Sequence, residues 1–591
     1  MLSSFVGAWI ALALFLFSAV LLVIGLAGNL AMSSGAQAEQ VKSRSILKIE
    51  LDGIIDERES ELEPDLGSIL NGSLEMPQTL DVIVQSIREA ATNDDIVAIY
   101  LKCGSLGAGP ATLNAIRHEL EEFKKTTGGK KKIIAYADSF GQGCYFIASV
   151  ADTIYMNPAG EMGLRGMSTS SFFMKGLLDK LGVQFQVVKV GTYKSAVEPY
   201  ILENMSEPAR AQMDTLLNSM WGYLRDRIAE SRKGVTAASI DTLVSKDFIA
   251  FAKPDFAVKA HLVDSLAYER EINKRLAEIS GREVEKLNFV SPSTLAAASP
   301  WAAAYNSKNQ IAVLYAVGEI ADGNNNQINY EKLVPVIVKL ADNDKVKGLV
   351  LRVNSPGGSV YGSTQIGEAL DYFQSKGKPL AVSMGDYAAS GGYWISANAD
   401  KIFADPLTIT GSIGIFGLIP NFKGTLDKIG VNIATVITNP AANFPSGFVP
   451  MDETQLAVMQ KYVDRGYDDF TSRVAKGRKM KKEAVLRIAE GRVWAASTAR
   501  KIGLVDSLAY LQNAIEWTAA KANVASNYDV AAYPQVEPTI WNMIQLNSGT
   551  MGELKKAVDI RDEEMIRTYL IKRILARQPI QARMPEFKIN M

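Results

Sequence analysis

The sequence has few of the side chains from which metal centres and histidine-based catalytic sites are built. Its 591 residues include two histidines, His118 and His261, and two cysteines, Cys103 and Cys144. Two cysteines form one disulfide at most, and a zinc cage drawn from this set is not expected. A phosphate-binding G-x-x-x-x-G-K-[ST] run is missing as well. We therefore predict no metal site and no bound cofactor.

An excess of charge of either sign is also missing. Lys plus Arg number 63 and Asp plus Glu number 64, which gives a formal net charge of −1. Because no global basic field exists to attract phosphates, we expect no nucleic-acid partner. A chain of 591 residues is too long for one hydrophobic core, so at least two domains are expected.

Charged side chains are absent from the start of the chain as far as Glu39. Residues 5–26 are almost wholly apolar and about long enough to cross a bilayer as a helix. Ala36-Gln37-Ala38 would suit signal peptidase, but the apolar run is longer than a usual signal core and has no basic residues before it. These features favour an uncleaved anchor, and we expect residues 1–30 to form a transmembrane helix with the lipid bilayer as a partner.

What the sequence does contain is an internal duplication with a period of about 245 residues. The letters Leu-Val-Asp-Ser-Leu-Ala-Tyr stand at 262–268 and again at 504–510. The apolar stretch at 96–102 corresponds in the same way to the stretch at 346–352. A period this long indicates two copies of a whole domain.

Each copy alternates apolar strands with amphipathic helices. Residues 346–353, for example, have the pattern of a strand and residues 333–342 that of a helix. This alternation is typical of an α/β fold with a parallel sheet and helices packed on it. The predicted domains are the anchor at 1–30, the first repeat at 45–295, the second repeat at 308–525, and an extension without an assigned role at 526–591.

One turn of the second copy carries a candidate nucleophile, Ser390. It follows the strand predicted at 380–384 and precedes a helix, so it lies at the sheet edge where α/β proteins bind ligands. A helix start also supplies free N–H groups and positive partial charge. An ordinary N-cap serine fits the same letters. The first copy, however, has Gln142 at the equivalent position, which favours a role for this hydroxyl beyond capping.

Lysine is the base that the sequence offers to this serine. His118 lies among charged residues of a predicted helix and is interpreted as a surface residue, and His261 precedes a shared turn and is interpreted as structural. Lys194 follows a valine-rich strand, and its counterpart in the second copy is Ala442. A lysine acts as a base when burial lowers its pKa. Each copy thus has one member of the pair, which suggests one site built from both. The sequence around Lys194 is also consistent with an ordinary solvent-exposed lysine.

Two other turns of the second copy also differ from the first. Asn354-Ser-Pro-Gly-Gly358 directly follows a strand, and N–H groups beside glycines can form an oxyanion hole, although a plain Pro-Gly turn is an alternative. Ser412 corresponds to Leu164 of the first copy. Its hydroxyl can orient a neutral lysine amine, and a plain turn serine explains it equally well.

Taken together, the motifs resemble those of the long, duplicated form of bacterial signal peptide peptidase A, also called protease IV. The motifs that carry the resemblance are Gly191-Thr-Tyr-Lys-Ser-Ala-Val-Glu-Pro-Tyr200, Asn354-Ser-Pro-Gly-Gly358, Ala389-Ser-Gly-Gly-Tyr-Trp-Ile-Ser396, Thr410-Gly-Ser-Ile-Gly414 and Gly491-Arg-Val-Trp494. The resemblance implies two tandem crotonase/Clp-protease-like repeats built from ββα units.

The same resemblance implies a Ser-Lys peptidase that degrades hydrophobic signal-peptide remnants. It implies Ser390 as nucleophile, Lys194 as general base, Ser412 as the residue that holds the lysine, and the N–H groups of Gly358 and Gly391 as the oxyanion hole. It also implies a single-pass protein of the bacterial inner membrane whose catalytic part faces the periplasm, assembled as a homo-oligomer that we expect to be a tetramer.

Two other functions remain as alternatives. A crotonase-like enzyme acting on acyl-CoA would use the N–H groups around Ser355-Pro-Gly-Gly358, but would not need the serine and the lysine in complementary copies. A non-catalytic membrane scaffold would use the duplication for assembly alone, and would not retain both members of the pair.

Overall fold

A computed structural model describes residues 41–58, 78–297, 308–321, 328–535, 580–584 and 588–590. The predicted anchor at 1–30 lies outside these ranges, and so does an amphipathic helix that the sequence predicts near 553–575. Among the described residues, no helix is long and apolar enough to cross a membrane.

Two sheets with the same strand order form the centre of the protein. The strands of the first sheet lie in the order Ser265–Leu266, Thr153–Met156, Lys132–Ala137, Ile96–Gly107, Ser45–Asp56 and Phe289–Val290, with Gln78–Thr79 beside Ser45–Asp56. Those of the second lie in the order Ser507–Leu508, Lys401–Ala404, Leu380–Ala389, Val346–Ser355, Gln310–Val317 and Asp529–Tyr533. All of these neighbours are parallel, so the predicted duplicated α/β fold is confirmed.

Helices join the strands and cover the sheets. Those of the first half are Leu80–Thr92, Pro110–Thr127, Gln142–Ala148, Lys175–Leu181, Glu198–Ile201, Glu207–Ser231, Ala237–Ser245, Pro254–Lys259, Glu269–Ser280 and Pro292–Ala297. Those of the second half are Tyr330–Asp342, Val360–Ser375, Gly391–Ser396, Lys423–Lys428, Glu453–Gly477, Lys482–Ile488, Ala496–Lys501 and Leu511–Lys521. Local sequence fixes their ends: Pro110–Thr127, for example, has a proline in its first turn and stops at Gly128, whose φ is 58°.

A small antiparallel sheet joins the two halves. Its strands lie in the order Gly357–Ser359, Ile580–Arg583, Ile415–Asn421 and Gln184–Val190. The last of these belongs to the first repeat and pairs with Ile415–Asn421 of the second along its whole length. The chain that leaves Gln184–Val190 therefore enters the second half, and Lys194 lies on it.

Buried ionic contacts also cross between the halves. Arg352 donates from Nε and Nη2 to the two carboxylate oxygens of Glu57, each at 3.0 Å, in the bidentate geometry that makes arginine–carboxylate pairs strong. Asp386 accepts hydrogen bonds from the backbone N–H groups of Ala111 and Thr112, at the positive end of helix Pro110–Thr127. These contacts hold the two halves in a fixed relation around the sheet edge that carries Ser390. Strands Ile409–Gly411 (parallel) and Val493–Ala495 (antiparallel) extend the second sheet at this edge.

Candidate active site

Ser390 occupies the turn between strand Leu380–Ala389 and helix Gly391–Ser396. Its φ of 55° and ψ of −116° lie where L side chains are rarely found, which marks a strained turn. Its N–H donates to the carbonyl of Gly411 at 2.8 Å. Ser390 occupies the N-cap position of this helix, but its hydroxyl makes no capping hydrogen bond, so capping does not account for the hydroxyl.

Lys194 reaches this serine from the other half. Its Nζ lies 2.8 Å from Ser390 Oγ, 3.0 Å from Ser412 Oγ and 3.1 Å from the Ser412 carbonyl oxygen. All three residues are fully buried, so the interpretation of Lys194 as a solvent-exposed lysine is also wrong. The structure thus brings together the three side chains singled out in the sequence.

Burial sets the protonation state of this lysine. Desolvation lowers the pKa of Lys194 well below its ordinary value, and among the described residues no carboxylate pairs with the amine. A neutral amine has two N–H donors and one lone pair. The two donors match the two oxygens of Ser412, and the lone pair is left for the hydroxyl proton of Ser390. The arrangement can therefore accept a proton from the serine.

A turn in the second half positions the lysine backbone. The N–H of Tyr193 donates to the Glu490 carbonyl at 2.9 Å, and Thr192 donates from both its N–H and its hydroxyl to the Glu490 carboxylate. Gly491 has a φ of 72°, and a Cβ built on it would lie 2.7 Å from the Cβ of Lys194. Glu490 was not identified from the sequence, because no motif marks it, and its partners lie about 300 residues away in the chain.

Ser412 is held in a second strained turn. Its φ is 50°, and its N–H donates to the carbonyl of Arg492 at 2.7 Å. Both its hydroxyl and its carbonyl oxygen face the Lys194 amine. A serine that only forms a turn does not require its hydroxyl to be buried against a lysine amine. The contact therefore favours the role predicted for Ser412, which is to orient that amine.

The two glycine-bearing turns of the second half lie against each other. Gly357 and Gly358 have φ values of 101° and 152°, which other residues rarely adopt. A Cβ on Gly357 would lie 2.7 Å from the backbone nitrogen of Gly391. Gly357, the neighbour of the predicted oxyanion donor Gly358, thus lies against the other predicted donor, Gly391. The plain-turn interpretation does not explain why backbone packs so closely here.

The equivalent position in the first half has become structural. Gln142 is buried, and its amide oxygen accepts from the N–H groups of Arg165 and Gly166, at 3.0 and 2.9 Å. Its amide nitrogen donates back to the carbonyl of Gly166 at 2.9 Å. A long amide here ties down the neighbouring loop and leaves no hydroxyl to activate.

The scarce cysteines and histidines lie apart from this chemistry. Cys103 and Cys144 are free and buried, and burial raises the pKa of the Cys103 thiol, which disfavours the reactive thiolate. His118 is half-buried and stacks on Tyr510, with ring centroids 3.7 Å apart, so its assignment to the surface was wrong. Its helix packs at the junction of the two halves, which the sequence does not reveal. His261 has a φ of 59° in a turn, as expected of a structural position.

Comparison with protein families gives two matches. The profile of peptidase family S49 matches twice, at residues 125–283 and 372–525, one match in each half. A Clp protease profile matches residues 305–406, which include Gly358, Ser390 and Gly391.

Individual relatives cover most of the chain. A protein named Protease 4 from Haemophilus influenzae is 35% identical over 82% of this chain and 80% of its own length. A Protease 4 from Salmonella typhi is 34% identical over 90% of this chain and 86% of its own length. A chloroplastic serine protease of Arabidopsis thaliana is 26% identical over 85% of this chain and 72% of its own length.

Proposed function

The chain belongs to peptidase family S49 and is a serine protease, and from this premise we propose that it cuts peptide bonds with a Ser-Lys dyad shared between its two halves. Ser390 is the nucleophile and Lys194 is its general base. The observation that carries the proposal is the 2.8 Å contact between Lys194 Nζ and Ser390 Oγ in a fully buried setting. Family membership decides against both the acyl-CoA enzyme and the non-catalytic scaffold.

Acylation starts from the neutral lysine. As Ser390 Oγ attacks the carbonyl carbon of the substrate, its proton passes to Lys194 Nζ. The lysine then gives this proton to the departing amine nitrogen, and the acyl group stays on Ser390 as an ester. A water molecule, deprotonated by Lys194, hydrolyses the ester and restores the serine.

Backbone N–H groups stabilise the negative charge that develops on the carbonyl oxygen. We assign this role to Gly358 and Gly391, since their turns pack against each other beside the serine. In comparable enzymes, one such donor contributes about 3 kcal/mol to transition-state stabilisation. Ser412 acts on the lysine. Its two oxygens accept hydrogen bonds from both N–H groups of the amine, which leaves the lone pair of the amine directed at the Ser390 hydroxyl.

We further propose that the substrates are hydrophobic signal-peptide remnants and that the enzyme works at the bacterial inner membrane, on its periplasmic face. The apolar run at 5–26 supports a membrane anchor. Assembly into a homo-oligomer, proposed as a tetramer, is supported by an apolar segment that a single copy leaves in water. Its exposed side chains include Ile429, Ile437 and Phe448, and Val436 is 100% exposed.

A fluorophosphonate probe tests the nucleophile, because it esterifies an activated serine. We expect one adduct per chain, mapped to the peptide that contains Ser390, and a loss of peptide-ester hydrolysis in proportion to labelling. A signal-core peptide is expected to be cut several-fold faster than a polar peptide of equal length. Labelling of another serine, or undiminished hydrolysis by fully labelled enzyme, would contradict the assignment.

Membrane fractionation tests the anchor. We expect the full chain to stay in membranes washed with alkaline carbonate, and a chain that starts at Glu39 to be washed off, because about 20 apolar residues provide the insertion energy. The mass of the detergent-solubilised full chain, measured by light scattering, is expected to be four times that of one chain. Release of the full chain by carbonate would rule out a transmembrane anchor, and the mass of a single chain would rule out the oligomer.

A further inference from the structure

The only two cysteines of the chain lie together in the core of the first half. Cys103 is on strand Ile96–Gly107, and Cys144 is on helix Gln142–Ala148. Both side chains are buried where the helix packs on the strand. Two cysteines placed without regard to each other in 591 residues would not be expected to meet. Their meeting therefore calls for a physical reason.

The contacts of the two thiols show how close they are. The Sγ of Cys103 donates to the carbonyl oxygen of Cys144 at 3.9 Å, and the Sγ of Cys144 donates to the carbonyl oxygen of Leu51 at 3.8 Å. Leu51 is the residue paired with Cys103 on the neighbouring strand. After burial, the hydrogen bond and the charge of the Cys144 thiol are the next causes that raise the pKa of Cys103. The two sulfur atoms are thus direct neighbours between the strand and the helix.

The equivalent place in the second half is filled by backbone. The counterparts of the two cysteines there are Val353 and Gly392. A Cβ built on Gly392 would lie 2.7 Å from the carbonyl oxygen of Ser355, so this helix leaves no room for a side chain. The catalytic half therefore cannot hold a covalent link between these elements. The first half, which lacks the nucleophile, has both the room and the two thiols.

A link at this place would close a loop that matters for the whole site. Residues 103–144 include helix Pro110–Thr127, whose first backbone N–H groups bind Asp386 of the second half. Asn114 of the same helix donates to the Asp405 carboxylate at 2.8 Å. A disulfide stabilises a protein by restricting the unfolded chain, and a long closed loop gives a larger effect. The bond would thus secure the helix on which the second half is held.

We propose that Cys103 and Cys144 form an intramolecular disulfide when the chain meets a disulfide donor, and that this bond secures the fold of the first half. Such a donor is a thiol oxidoreductase of an oxidising compartment, which is consistent with the proposed periplasmic location. The proposal goes beyond the peptidase function and does not involve the dyad.

The reaction is a thiol–disulfide exchange. One cysteine attacks the donor disulfide as a thiolate, and the second cysteine, also as a thiolate, then displaces the donor. One Sγ–Sγ bond forms and one donor S–S bond breaks. The two electrons of the cysteine thiols reduce the donor, which leaves as two thiols with the two protons. Burial raises the pKa of Cys103 and so disfavours its thiolate, which means that the exchange takes place before the core closes around it.

Oxidised glutathione serves as the donor in the test. The full chain in detergent is incubated with it in moderate urea, which lets the core open, and is returned to buffer. The remaining thiols are then alkylated with iodoacetamide under denaturing conditions. We expect neither cysteine to be alkylated, and a tryptic fragment that joins the peptide of Cys103 to that of Cys144. Two alkylated cysteines, glutathione retained on either one, or a bond between two chains would overturn the proposal.

Thermal unfolding tests whether the bond secures the fold. The oxidised protein is expected to have a Tm about 5 °C higher than the same protein reduced by a phosphine. Cys103→Val is the matched control, because valine occupies the equivalent position 353, and its Tm should be the same with and without the phosphine. Cys144→Ser gives the same comparison if the valine variant does not fold. An equal Tm of the native protein in both states would overturn the proposal, and so would a Tm difference that persists in the variants.

Discussion

Lys194→Met is expected to abolish peptide hydrolysis and to make the protein more stable at neutral pH. The activity loss follows from the general base, whose removal costs roughly 10²- to 10⁴-fold in kcat. Methionine has a similar length and no charge, so it fits the space of the buried stem. Ser390→Ala should lose as much, and the double variant no more than either alone, because the two side chains act as one unit.

The gain in stability follows from the lowered pKa of Lys194. Between this lowered pKa and the ordinary lysine value, the unfolded chain binds a proton that the folded chain does not, so the free energy of unfolding rises with pH. At pH 7 the cost of keeping the amine neutral is at most about 5 kcal/mol. The amine's three hydrogen bonds, two to Ser412 and one to Ser390, are lost as well, which offsets part of the gain at about 1 kcal/mol each. We expect Lys194→Met to be about 2 kcal/mol more stable at pH 7. This advantage should shrink as pH rises and reverse toward pH 10, where only the loss of the hydrogen bonds remains.

Urea unfolding across this pH range and initial-rate kinetics provide the measurements. Lys189→Met is the matched control, because it removes a nearby lysine that lies on strand Gln184–Val190 and is not fully buried, and it should leave both quantities close to those of the native protein.

In the native protein, kcat/KM should fall as pH drops through the lowered pKa of Lys194. Ser412→Ala should retain part of the activity, since one of two acceptors on the amine remains. Activity of Lys194→Met near that of the native protein would exclude the lysine as base.

The duplication made the central pair predictable from sequence. Ser390 has Gln142 as its counterpart and Lys194 has Ala442, and these complementary losses pointed to one site between the copies. The contacts of that site depend on pairings that no local pattern encodes. Strand Gln184–Val190 reads as part of the first repeat, yet it pairs with a strand of the second and delivers the lysine there.

Other features of the site were beyond prediction for the same reason. Residues 580–584 carry no motif, so nothing in the sequence indicates that they pair with strand Gly357–Ser359. Glu490 binds Thr192 through its carboxylate across the two halves, but nothing in the sequence distinguishes it from the other glutamates. His118 was assigned to the surface because its neighbours in sequence are charged, whereas its partner is an aromatic ring from the second half.

Gly491→Ala is expected to reduce kcat about 100-fold by displacing Lys194, because misplacing a catalytic group by about 1 Å costs a factor of this size. The added methyl would lie within 2.9 Å of the N, Cα and Cβ atoms of Lys194, so this backbone must move. The alanine must also adopt a φ of 72°, which costs roughly 1 to 2 kcal/mol of stability.

Gly503→Ala separates the two effects. Gly503 has a φ of 84°, so alanine pays a similar conformational cost there, but its Cβ would meet only Met480 at ordinary contact distance, 3.6 Å or more. We expect both variants to lose stability in urea unfolding, Gly491→Ala the more because its methyl also displaces the Lys194 backbone, and only Gly491→Ala to lose activity. Equal kinetics in both variants would mean that the Glu490–Gly491 turn does not position the lysine. A selective loss in Gly491→Ala would show that the second half, besides supplying Ser390, fixes where the base from the first half stands.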